Sequence, residues 1–155
     1  MFTKVEDTRD ITIAIINGPN INILGIREPD VYGNQSWSDI ESHLKEIGIQ
    51  LRVELIFFQS NYEGQIVDFI QQNMKWINGV VINPAALTKT GYSILDALTA
   101  INIPFAEVHL SNIYKRGGWH KESIFAEKAV GQVIGFKGLV YELGLKAIYH
   151  EILKN

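Results

Sequence analysis

The sequence contains no cysteine, which rules out disulfides, a thiolate nucleophile and any cysteine-based zinc site. It has no long run of Lys or Arg, and its formal net charge is −3. That excludes a general nucleic-acid binder, which needs a basic face to neutralise phosphates. No apolar stretch approaches the ~20 residues needed to cross a bilayer, so no membrane association is expected. Residues 1–10, MFTKVEDTRD, form a polar extension of mixed charge unlike a secretory leader, and the expected compartment is the cytoplasm. The histidines are His43, His109, His120 and His150. None is paired at helical spacing with a nearby carboxylate in the manner of a metal site, so no metal is expected.

Aliphatic residues, by contrast, are plentiful. Hydrophobic residues make up 46% of the 155 positions and charged residues 20%, the composition of one globular domain spanning residues 1–155. The β-branched run at 11–16, ITIAII, reads as a strand buried on both faces. Further strands are expected at 50–58, 79–82, 103–109 and 130–136. Between them, helical periodicity predicts helices from Ser36 or Ser38 to about 47, stopped by Gly48, and over 62–76, 91–101 and 138–152. Strands alternate with crossover helices. The expected architecture is therefore α/β: a flavodoxin-like, three-layer doubly wound fold around a five-stranded parallel sheet.

Such folds bind ligands beyond the carboxyl ends of their strands. There the sequence places Asn17, Asn20 and Asn22, then Gln59, Ser60 and Asn61, then Asn83, and finally Glu107, His109, Ser111 and Asn112. Single Asn and Ser residues at strand ends are often turn formers, but this concentration of amides, hydroxyls, a carboxylate and an imidazole suggests a small polar ligand. Glu107 and His109 alternate on one strand and so face the same way. That pairing lets the carboxylate fix the imidazole in one tautomer behind a general acid. The segment 18–35 is long for a βα loop and has the length of an active-site lid. It carries Arg27 and Tyr32, and from the residues alone Tyr32 reads as an exposed tyrosine on that lid.

Four blocks together resemble the type II 3-dehydroquinate dehydratases. They are Asn17-Gly18-Pro19-Asn20-x-Asn22-x-Leu24-Gly25-x-Arg27-Glu28-Pro29-x-x-Tyr32-Gly33, Phe58-Gln59-Ser60-Asn61-x-Glu63-Gly64, Ile82-Asn83-Pro84, and Glu107-Val108-His109-Leu110-Ser111-Asn112. The likeness runs from about residue 11 to 150. It implies dehydration of 3-dehydroquinate to 3-dehydroshikimate by anti elimination through an enolate, in the shikimate pathway or quinate catabolism, with no flavin, metal or other cofactor. It also implies a homododecamer, a tetramer of trimers.

By the same resemblance, Tyr32 would be the base and Arg27 would steady its charge. Asn20 would stabilise the enolate through a water molecule. His109, oriented by Glu107, would protonate the leaving hydroxyl. Asn83 and the backbone amides of Leu110 and Ser111 would bind the substrate, and Asp96 would reach a neighbouring subunit's site. The sequence departs from the family at three places. Lys89 replaces a histidine that contacts substrate, as a flexible point charge. Arg116 keeps the first arginine after the fourth strand, but His120 replaces the second and lacks its bidentate fork. Ala85 stands where the family usually has Gly. These changes touch the binding shell and leave the proton-transfer residues intact. They motivate the alternative of a repurposed, non-catalytic family member that binds a related cyclic polyol acid. A flavin carrier of the same fold is disfavoured, because Asn17-Gly18-Pro19-Asn20 spends a backbone donor on proline and lacks hydroxyls.

Overall fold

The computed structural model of the chain describes residues 10–26 and 28–155. Five strands, β1 (Thr12–Asn17), β2 (Glu54–Gln59), β3 (Gly79–Asn83), β4 (Phe105–His109) and β5 (Gly131–Ile134), form one parallel sheet in the order β2-β1-β3-β4-β5. This is the doubly wound order expected from the alternation of strands and helices.

Every residue of β1 is buried, and strand alternation divides its side chains between two layers. Ile13 and Ile15 pack with Ile40, Leu44 and Ile47 of α2 (Trp37–Leu51) and Val140, Tyr141, Leu145 and Ile148 of α6 (Leu139–Leu153). Ala14 and Ile16 pack with Ile66 and Ile70 of α3 (Glu63–Asn73) and Ile94, Ala97 and Leu98 of α4 (Tyr92–Ile101). Among the described residues, no helix is long and apolar enough to cross a membrane.

Ser36, not Ser38, caps α2: its hydroxyl accepts from the Asp39 amide while the Asp39 carboxylate accepts from the Ser36 amide. Gly48 does not stop this helix, as the sequence suggested. It lies buried within it, where a Cβ would stand 3.1 Å from the Leu55 side chain. The glycine allows close helix–strand approach, and the left-handed ending falls at Arg52, φ 57°. Strand β2 consequently begins at Glu54 rather than near residue 50.

The segment 18–35 is also more ordered than a bare loop. It holds a 3-10 turn at Ile21–Ile23 and a short helix, α1 (Pro29–Tyr32), started by Pro29 and ended by Gly33 at φ 88°. The Lys137 ammonium donates to the backbone carbonyls of Asp30 and Val31, tying the end of α1 to the turn after β5.

Candidate active site

The site forms where the strand order reverses, between β1 and β3. Asn17 and Asn83 are register partners at the ends of these strands. The chain leaves β1 through Gly18, whose amide donates to the Asn83 carbonyl at 2.8 Å. A Cβ at Gly18 would lie 2.3 Å from the Pro84 carbonyl oxygen, so only glycine permits this approach. The two strand-end asparagines are bridged by a buried phenol. Tyr141 Oη donates to Asn17 Oδ1 at 2.7 Å and accepts from Asn83 Nδ2 at 2.9 Å.

Strand β4 contributes the second constellation. Glu107 is fully buried, and its carboxylate meets His109 Nε2 at 2.7 Å, Ser123 Oγ at 2.6 Å and Gln132 Nε2 at 2.7 Å. Burial pushes the Glu107 carboxyl up, but the hydrogen bond and charge of His109, with the Ser123 and Gln132 bonds, outweigh it and hold the group below the usual carboxylate range. With Nε2 engaged, Nδ1 is the imidazole nitrogen left for a ligand.

A cleft joins these groups. It is lined by Tyr32, Asn83, His109, Arg116, Trp119 and His120, together with Leu110 and Ser111. Tyr32 is not an exposed lid residue, as the residues alone suggested, but is only 8% exposed. Helix α1 turns its ring inward, where Arg116 Nη1, from α5 (Ile113–Arg116), donates to the phenol oxygen at 2.9 Å. The guanidinium also lies 5.5 Å from the ring centroid. His120 stacks on Trp119 with centroids 3.8 Å apart.

Other candidate residues stand apart from this cleft. Asn20 is exposed in a left-handed conformation, its backbone amide held by Asn61 Oδ1 at 3.0 Å. Lys89 pairs with Glu122 at 2.7 Å, and Asp96 is exposed on α4. Neither Asn20, Lys89 nor Asp96 lines the cleft. Arg27 lies outside the described residues.

Ala85 adopts φ 52°, a left-handed conformation that favours glycine. Its amide also donates to Asn83 Oδ1 at 3.1 Å. Ala85→Gly is therefore expected to raise Tm by up to about 2 °C, since relief of about 1 kcal/mol of strain outweighs roughly 0.4–1 kcal/mol of added unfolded-state entropy. Calorimetry of the two proteins checks this; a lower Tm would mean that the turn bears less strain than the entropy glycine adds.

The family model for class II dehydroquinases matches residues 11–149. The chain belongs to the class II dehydroquinase family. A 3-dehydroquinate dehydratase of Prochlorococcus marinus (strain MIT 9301) is 48% identical over 138 residues, covering 89% of this chain and 94% of that one. A catabolic 3-dehydroquinase of Talaromyces marneffei is 46% identical over 144 residues, covering 93% and 81%. The crystal structure of a type II dehydroquinase from Butyrivibrio crossotus superposes with a TM-score of 0.86 at 35% identity, covering 90% of this chain and 97% of that one.

Relative to the family motifs, this dehydroquinase-family chain shows three supports that the sequence reading missed. Ser123 and Gln132 hold Glu107, and Tyr141 links Asn17 to Asn83. Gln132 had a signal, because it is a polar residue inside the strand expected at 130–136 and a buried carboxylate requires donors. Tyr141 had none, since it occupies an ordinary apolar position of α6.

Proposed function

We propose that the protein is a hydro-lyase that converts 3-dehydroquinate to 3-dehydroshikimate and water. The observation that carries this reading is one cleft lined by a buried, arginine-bonded tyrosine and a histidine fixed by an ionised glutamate. The names of its relatives supply the substrate.

In this mechanism Tyr32, as phenolate, removes a proton from the carbon beside the ketone, and the electron pair passes to the ketone oxygen as an enolate. Arg116, with Arg27, stabilises the phenolate before the transfer. Asn20 stabilises the enolate through water. The enolate collapses, the carbon–oxygen bond at the β position breaks, and His109 gives its proton to the departing hydroxyl, releasing water. Glu107 keeps the imidazole oriented and offsets its positive charge. Asn83 and the amides of Leu110 and Ser111 hold the substrate carboxylate and hydroxyls, with Arg116 and His120 at the wall.

The test is ultraviolet absorbance of the conjugated enone as 3-dehydroquinate is added to purified protein without metal or cofactor. A steady rise is expected. No rise from folded protein would leave the binding-only alternative, which the Lys89–Glu122 pair favours because it takes a cation away from the cleft.

His120→Arg is expected to lower KM by about threefold to tenfold, because a guanidinium adds a charged, bidentate contact. An unchanged KM would mean that Arg116 or Lys121 already supplies that contact. The working form we infer is a cytoplasmic homododecamer, a tetramer of trimers, in which Asp96 completes a neighbouring site. Exposed Tyr62 and Tyr92, at the adjoining starts of α3 and α4, support burial between copies. Light scattering that gave a monomer mass for active protein would contradict this assembly.

A further inference from the structure

The phenol of Tyr141 is fully buried and takes no part in the proton transfers. Packing alone does not explain its hydroxyl. The ring meets Trp37 edge-on, with centroids 5.1 Å apart, and phenylalanine would make the same contact. The hydroxyl instead sits between two carboxamides that are partners across adjacent strands.

We propose that Tyr141 is a positioning residue that holds the Asn83 carboxamide in one orientation in the substrate cleft, with the Ala85 amide setting the direction of the hydrogen bonds and Asn17 accepting the phenol proton.

A phenol has one proton, and here it is committed to Asn17 Oδ1. Toward Asn83, Tyr141 Oη can therefore only accept, which selects Asn83 Nδ2. At the other end of the same carboxamide, Oδ1 accepts from the Ala85 amide at 3.1 Å. Turning the Asn83 amide over would set Oδ1 against a phenol oxygen with no free proton, and Nδ2 against another N–H. Both contacts would be repulsive, so one orientation survives. It leaves one amide hydrogen and one carbonyl lone pair, in fixed order, for a ligand in the cleft that Asn83 lines.

Among the described residues, Asn17 Nδ2 is buried without a hydrogen-bond partner, a cost that the Asn17 carboxamide bears in presenting its oxygen to Tyr141. Burial also pushes the phenol well above its ordinary value, against the Asn83 bond. Tyr141 thus remains a neutral donor across the working pH range.

This inference rests on the dehydration reading, because turnover is its readout. The experiment is steady-state kinetics on the full chain, Tyr141→Phe, Asn83→Ala and the double variant. Tyr141→Phe is expected to raise KM about fivefold to twentyfold with kcat within about threefold of the parent. The pH profile of kcat is expected to be unchanged, because the bridge touches neither Tyr32 nor His109. In the Asn83→Ala background the same substitution is expected to shift KM less than about twofold, since its effect passes through Asn83.

An unchanged KM in Tyr141→Phe overturns the inference, as does a KM shift of equal size in both backgrounds. Asn17→Ala keeps the phenol but frees its proton, and is expected to raise KM in the same direction. If both single variants lose the fold, the role is structural and the inference is wrong. Absence of turnover by the parent protein overturns the dehydration reading and this inference together. Turnover by the parent with an unaltered Phe variant overturns this inference alone.

Discussion

Replacing Tyr32 by Phe is expected to lower kcat by about 10²–10⁴-fold, the range for removing a positioned general base. The ring fills a buried site at the end of α1, and Phe preserves its volume, so thermal stability should fall by little more than the net value of the Arg116 bond, about 1–2 kcal/mol. KM is expected to change less than kcat, because the hydroxyl acts on the reacting proton. Arg116→Ala should give a smaller loss, roughly tenfold to hundredfold, since the phenol remains. Single-turnover measurements on folded protein decide the matter. If Tyr32→Phe retained more than about a tenth of the parent rate, another group would be the base.

A comparable loss, about 10²–10⁴-fold in kcat, is expected for His109→Ala, with binding of the substrate largely retained. Its neighbour makes a sharper stability prediction. Glu107→Gln places an amide among groups that all donate to the present carboxylate: His109, Ser123 and Gln132. Gln132 can turn its own carboxamide to accept from the new amide, so the cost is mainly the loss of charge-assisted hydrogen bonds, about 1–3 kcal/mol.

The pH dependence has a definite sign. The folded protein holds Glu107 ionised below the usual carboxylate range. Its stabilisation is complete above the ordinary, unfolded-chain value and is lost as pH falls through the depressed one. Denaturation followed from neutral to acidic pH should therefore show a steeper fall in stability for the parent than for Glu107→Gln. Parallel curves would mean that Glu107 gains nothing from its partners.

Much of this was legible in the sequence because the underlying signals are local. The run 11–16, ITIAII, is apolar on both faces, which points to a strand buried on both sides. Glu107 and His109 alternate, which places both on one face. What escaped detection depends on residues distant along the chain. Tyr32 and Arg116 are 84 positions apart, and Tyr141 and Asn17 are 124 apart. No periodicity announces such pairs. Tyr32 read as exposed because a Gly- and Pro-rich segment suggests a loop, whereas Pro29 and Gly33 bound a helical turn that rotates the ring inward. Gly48 misled for a related reason: it makes room for Leu55, a contact that exists only once β2 lies beneath α2.

The pairing of Asn17 with Asn83 ties catalysis to folding fidelity. A shift of one residue between β1 and its neighbours would turn Asn17 toward the layer opposite Tyr141. It would also carry Gly18 away from Pro84, bringing a side chain toward a space that tolerates none. Molecules with misaligned strands are thus silent as enzymes as well as poorly packed. Recovery of specific activity after dilution from denaturant therefore reports the correctly aligned fraction.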